Sequence, residues 1–95
     1  MLLMKQTANL KGQWTKQGSE YQNPEQPFTL IMAHRKHHRG NKTLQYLLIK
    51  EGNTTRYLSG LYPTKTEGVF RLDYNGKDYT FEELTSKQAL IKPKP

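Results

Sequence analysis

The sequence predicts an all-β fold: a small antiparallel meander of five to seven strands curled into a partly open barrel, OB-like or SH3-like in outline. Three two-residue turn signals indicate this fold, namely Gly40-Asn41, Gly52-Asn53 and Asn75-Gly76. Gly-Asn suits a type II′ turn and Asn-Gly a type I′ turn, because these residues tolerate the positive φ angles that the turns require. Each signal therefore predicts a hairpin, and 95 residues provide material for one domain.

The ends of the chain are expected to lie outside this domain. We assign residues 1–8 to a flexible N-terminal arm, 9–92 to a single β domain and 93–95 to a C-terminal tail. Residues 9–17 alternate partly between apolar and polar side chains, which predicts a first strand. The following polar stretch, residues 18–26, contains Pro24 and predicts a loop.

The two Gly-Asn signals connect three strands in the middle of the chain. Residues 28–35 alternate, residues 43–50 are rich in leucine, and a third strand begins after Asn53. A two-residue loop at each signal fixes the pairing of the strands on either side of it. The expected pairs are Arg35 with Tyr46 and Ala33 with Leu48 in the first hairpin, and Leu48 with Tyr57, Tyr46 with Ser59 and Leu44 with Leu61 in the second.

The Asn75-Gly76 signal predicts a third hairpin with a clear register. It pairs Phe70 with Phe81 and Leu72 with Tyr79, so that one face carries an aromatic and aliphatic ladder. On the other face Asp73 opposes Asp78, and this like-charge pair is expected to be unfavourable unless a cation or solvent relieves it.

The segment 82–91 leaves two alternatives open. Thr80 and Glu83 have the spacing of a capping box, which would begin a short C-terminal helix. Alternatively, residues 88–91 form a last strand, and we favour this because an otherwise β domain needs a partner for its exposed edges.

Charge indicates an anionic partner. The formal net charge is +7, and residues 26–50 contain no acid, whereas residues 66–83 contain five. Such an asymmetric positive field favours nucleic acid or an acidic protein surface. The chain has no cysteine and no apolar run long enough to span a bilayer, so we expect a cytoplasmic protein without a membrane partner.

The basic segment around the first hairpin suggests a nucleic-acid-binding module without catalytic function. Arginine and lysine neutralise phosphates, and neighbouring aromatic rings can stack on unpaired bases, so we expect single-stranded or irregular nucleic acid. The candidate binding residues are Arg35, Lys36, His37, His38, Arg39, Lys42, Tyr46 and Tyr57. The alternative is a protein-interaction module, such as an assembly factor, inhibitor or regulator, that docks on an acidic partner. An edge strand could also pair two copies into a homodimer.

Other chemistries fit the sequence poorly. On one strand His37 points away from His34 and His38, and no cysteine is present to complete a metal site. Asp73 and Asp78 could form an acid–base pair, but their place beside a turn predicts hydration, and no nucleophile–base pattern or phosphate-binding loop is present. We therefore expect no enzyme, no metal and no cofactor.

Overall fold

The computed structural model describes residues 9–36 and 43–94, which form eight antiparallel strands. The strands are β1 (Gly12–Gln17), β2 (Glu20–Gln22), β3 (Thr29–Lys36), β4 (Thr43–Glu51), β5 (Thr54–Pro63), β6 (Val69–Tyr74), β7 (Lys77–Thr85) and β8 (Gln88–Pro93). Each strand pairs with the next one along the chain, and β8 pairs with β1 to close a barrel. The predicted small antiparallel barrel is therefore confirmed.

The described strands number eight rather than five to seven, and the ring is closed. The strand missed by the sequence analysis is β2, which lies in the segment predicted to be a loop. It contains one buried apolar side chain, Tyr21, and three residues are too few to show an alternating pattern. Its pairing with both β1 and β3 nevertheless closes the wall on that side.

Buried apolar side chains form one core cluster inside the barrel. The bulkiest fully buried residues are Trp14, Phe81, Leu10, Leu30, Leu47, Leu72 and Ile91. The indole nitrogen of Trp14 donates a hydrogen bond to the carbonyl oxygen of Leu10 at 3.0 Å, so its polar atom is satisfied inside the core. A filled interior leaves the outer wall and the ends of the barrel as the surfaces where a partner could bind.

The β6–β7 hairpin has the predicted register. Phe70 opposes Phe81, Leu72 opposes Tyr79 and Asp73 opposes Asp78. Asn75 and Gly76 have φ angles of 52° and 77°, as both central positions of a type I′ turn require. The β4–β5 turn also lies at Gly52-Asn53, and Leu48 opposes Tyr57 as predicted.

The predicted register of the β3–β4 hairpin is wrong by two residues. Arg35 opposes Leu44 rather than Tyr46, and Ala33 opposes Tyr46 rather than Leu48. The last described pair of this ladder is Lys36 with Thr43, and the predicted Gly40-Asn41 turn lies outside the described residues.

The β4–β5 pairing departs from prediction beyond a β-bulge at Leu58. Leu58 and Ser59 are both buried, and from this point Tyr46 opposes Gly60 rather than Ser59, while Leu61 opposes Gln45 rather than Leu44. A bulge places two residues of one strand against one of its partner, so every later pair moves by one.

The alternative C-terminal helix is not formed. Residues 77–85 make one continuous strand, and Leu84 is the additional residue at a second bulge opposite β8. The favoured alternative, a last strand over residues 88–91, is confirmed within β8. Its pairing with both β7 and β1 satisfies two edges at once, which a helix could not do.

Candidate nucleic-acid interface

The outer surface of strands β3, β4 and β5 forms the candidate interface, here called the β3–β5 face. Inward side chains such as Leu30, Leu47 and Leu61 are buried, so the alternating positions point outward. The outward residues are Thr29, Ile31, Ala33, Arg35, Leu44, Tyr46, Leu48, Lys50, Thr55, Tyr57, Gly60 and Tyr62. This face therefore carries two cations and three tyrosines, with no aspartate or glutamate among its described positions.

Two tyrosines form an exposed aromatic pair at the centre of this face. The ring centroids of Tyr46 and Tyr57 are 5.9 Å apart and the rings are inclined by 35°. Tyr57 is 64% exposed, whereas Tyr46 is half-buried. The pair thus lies on the outer wall and does not line the core. A large aromatic ring left in solvent offers a flat apolar surface that a ligand can cover.

The cations lie at the two ends of the face. Arg35 is exposed at the end of β3, and Lys50 is exposed near the end of β4. Lys50 of β4 pairs with Thr55 of β5, so Tyr57 is its diagonal neighbour on that strand. The Cα atoms of such neighbours are about 7–8 Å apart. Cationic side chains thus flank the aromatic pair on both sides.

The predicted site residues are only partly brought together. Arg35, Tyr46 and Tyr57 share the β3–β5 face, but Lys36 is on the opposite side of β3. His37, His38, Arg39 and Lys42 lie outside the described residues. On the side of Lys36, Nε2 of His34 and Nε2 of Gln45 are in hydrogen-bond contact at 3.4 Å.

Two further residues of this face, Lys50 and Tyr62, were not predicted from the sequence. Lys50 alternates with Tyr46 and Leu48, so strict period-2 counting from Tyr46 would have placed it on this face. Tyr62 lies in β5 beyond the bulge at Leu58, where the strand no longer follows the alternation that begins at Tyr57. Its ring lies against Gly60, where an added Cβ would come within 3.1 Å of the ring, so glycine at this position leaves room for the tyrosine.

An arginine and two carboxylates border the face beyond Tyr62. The guanidinium of Arg71 lies 4.9 Å from the Tyr62 ring centroid, and its Nη1 is 2.9 Å from Oδ1 of Asp73 and 3.7 Å from Oδ1 of Asp78. A hydrogen bond that protonated Asp73 donates to the Asp78 carboxylate raises the pKa of Asp73 above its ordinary value of 3.8. Arg71, which lies on the same hairpin, therefore supplies the positive charge that offsets the repulsion between Asp73 and Asp78.

Comparisons with known proteins provide no assignment, since no family model, curated protein or solved structure matches this chain. Within residues 9–36 and 43–94, no helix is long and apolar enough to cross a membrane. In the same part of the chain, no three histidine or acidic side chains are grouped so that they could hold a metal ion.

Proposed function

We propose that this protein is a non-catalytic nucleic-acid-binding module that holds single-stranded or irregular nucleic acid on its β3–β5 face. The observation that supports this proposal is the exposed Tyr46–Tyr57 pair, flanked by Arg35 and Lys50 on a surface without acids. Stacked bases contribute about 1–3 kcal/mol each on such rings, and the cations attract the backbone. A cytoplasmic location belongs to the same proposal.

Single strands fit this face better than a duplex does. In a duplex the bases are stacked on one another, and their faces cannot reach Tyr57. Unpaired bases expose those faces, and every base has one, so the expected binding tolerates different sequences. The face presents aromatic rings and single cations, and among its described residues no acidic side chain lies beside a basic one. We therefore propose that it binds a ligand and does not catalyse a reaction.

The first test is a titration of a labelled single strand of mixed sequence and of the matched duplex, each at low and at physiological salt. We expect tighter binding of the single strand. Replacing Arg35 and Lys50 together by glutamine should weaken it and reduce the salt slope by about 0.7 for each lost phosphate contact. The matched control replaces Lys92, in the strand β8 that is farthest from β4 around the ring, and Lys94, one residue beyond that strand. It should leave the slope nearly unchanged.

The second test separates stacking from charge. Tyr57→Ala should weaken single-strand binding by about 1–3 kcal/mol without changing the salt slope, whereas Tyr57→Phe keeps the ring and should bind nearly as wild type. If the wild-type protein has no measurable affinity for any oligonucleotide at low salt, where attraction to phosphate is strongest, the proposal is refuted.

A second candidate function, docking of an acidic protein, is favoured by the free edge of β5. Among the described strands, β5 and β6 form only the pairs Tyr62 with Arg71 and Pro63 with Phe70, so residues 54–58 have no ladder partner on that side. Such an edge can accept an extended segment of another protein or of a second copy. Failure of the oligonucleotide titration would make this edge the first surface to test against an acidic partner.

A further inference from the structure

A groove lined by both polar and apolar side chains continues the β3–β5 face around the barrel. It is an open depression of about 590 Å³ between the loop of residues 23–28 and the outer side of β2, β3 and β4. Its lining includes Glu20, Gln22, Gln26, Thr29 and Lys50, with the rings of two prolines from the loop. This volume lies within the range of small-ligand sites.

The groove shares residues with the proposed binding face. Gln22 pairs with Thr29, and Thr29 pairs with Lys50, so these three outward side chains form one row across β2, β3 and β4. The row ends at Lys50, the cation nearest to Tyr57 on that face. A strand stacked on Tyr57 and bound by Lys50 through a phosphate would therefore bring its next base to the groove.

Packing holds the loop side of the groove in place. Asn23 is only 7% exposed, and its Oδ1 accepts a hydrogen bond from the backbone N–H of Glu25 at 2.9 Å. Its Nδ2 lies 2.8 Å from the position of a Cβ on Gly12, whose φ is 140°. Only glycine allows β1 to approach the Asn23 amide so closely, so the groove wall is formed before any ligand arrives.

We infer that this groove holds a nucleobase with an exocyclic amino group, an inference that rests on the proposed function. The amides of Gln22 and Gln26 can donate or accept, so they do not discriminate among bases. Glu20 is half-buried in the lining, and an ionised carboxylate only accepts hydrogen bonds. It therefore favours the amino group of cytosine or adenine over the carbonyl oxygen that uracil or thymine presents at the same position.

The experiment compares oligo(dC) with oligo(dU) of equal length above neutral pH. Both are pyrimidines, so stacking on tyrosine is closely matched, and they differ at C4 by an amino group against a carbonyl. We expect wild-type protein to bind oligo(dC) about ten-fold more tightly, which is the discrimination typical of one good base contact.

Glu20→Gln should bring the ratio of the two affinities close to one, because the amide can donate to the uracil carbonyl. The matched control is Glu25→Gln, which removes the same charge from the same end of the barrel at a residue that does not line the groove. It should raise both affinities slightly and preserve the ratio. Unfolding followed by Trp14 fluorescence must show that both variants are as stable as wild type.

Equal affinity of wild-type protein for the two oligonucleotides would overturn this inference and leave the proposed function standing. The inference would also be overturned if the Glu20→Gln variant kept the preference for oligo(dC). The same holds if Glu25→Gln abolished that preference as fully as Glu20→Gln does. Absence of binding to either oligonucleotide at low salt would instead refute the proposed function, and the inference with it.

Discussion

Truncation of Phe81 tests the closed core most directly. Phe81 is fully buried, and its ring makes edge contacts with Tyr21 at a centroid distance of 5.4 Å and with Phe70 at 6.4 Å. The side chain thus joins β2, β6 and β7 across the barrel. Phe81→Ala leaves a cavity where these contacts meet, and such truncations cost about 3–5 kcal/mol. A domain of this length has only about 5–14 kcal/mol of stability in total, so the loss is about a fifth or more.

Urea unfolding followed by the fluorescence of Trp14, which is fully buried and is the chain's single tryptophan, measures this loss. With an m-value of about 1.5 kcal/mol/M, the unfolding midpoint should fall by about 2–3 M. Tyr57→Ala is the matched control, since it removes an aromatic ring from the outer face and forfeits mainly the Tyr46 contact, about 0.5–1.5 kcal/mol. If the two variants lose the same stability, Phe81 does not hold a closed core together.

Two further predictions concern the β6–β7 hairpin. Gly76→Val should cost about 1–3 kcal/mol, because a β-branched residue is strained at a φ of 77°, and an unchanged melting temperature would contradict the type I′ turn. Asp78→Asn should raise the melting temperature at neutral pH but not below about pH 3.8. The hydrogen bond that protonated Asp73 donates to Asp78 raises the pKa of Asp73, so native Asp73 holds its proton more tightly than the unfolded chain does, and its ionisation costs stability. This cost is absent below pH 3.8, the ordinary pKa of an aspartate, and it grows as the pH rises from there through the raised pKa of native Asp73. A lower melting temperature at neutral pH would show that the Arg71–Asp78 contact outweighs the repulsion.

The hairpins show how far turn chemistry determines register. Asn75-Gly76 leaves one solution, because both residues take positive φ, and every predicted pair beside it is formed. The β3–β4 register was wrong by two residues, and the hydrophobic pattern could not detect the error. A slip of one residue exchanges the faces of a strand, whereas a slip of two returns each side chain to the same face.

Part of the site was predictable because a slip of two residues keeps every side chain on its own face. Arg35, Tyr46 and Tyr57 share a face in the predicted register and in the observed one, since the error between β3 and β4 is even. The bulge at Leu58 was not predictable from alternation, because it buries two consecutive residues. It moves Gly60 opposite Tyr46 and so places Tyr62 outward on the same face.

The groove could not be derived from the sequence. It depends on β2, whose three residues carry too little pattern to be recognised as a strand, and on the packing of Asn23 against Gly12. Glu20 and Gln22 were assigned to a loop, so nothing placed them beside Thr29 and Lys50. Contacts between short segments distant in sequence are set by tertiary packing, which local propensity does not encode.

The borders of the β3–β5 face determine the direction in which a bound strand would extend. Beyond Tyr62 the surface carries Asp73 and Asp78, and Arg71 is already engaged by both carboxylates and by the Tyr62 ring. Phosphates would meet net negative charge there. Beyond Lys50 the row continues through uncharged threonine and glutamine side chains into the groove, where Glu20 is the residue proposed to accept a hydrogen bond from a base. Electrostatics therefore favour a path from Arg35 over the tyrosine pair to Lys50 and the groove, rather than one towards β6 and β7.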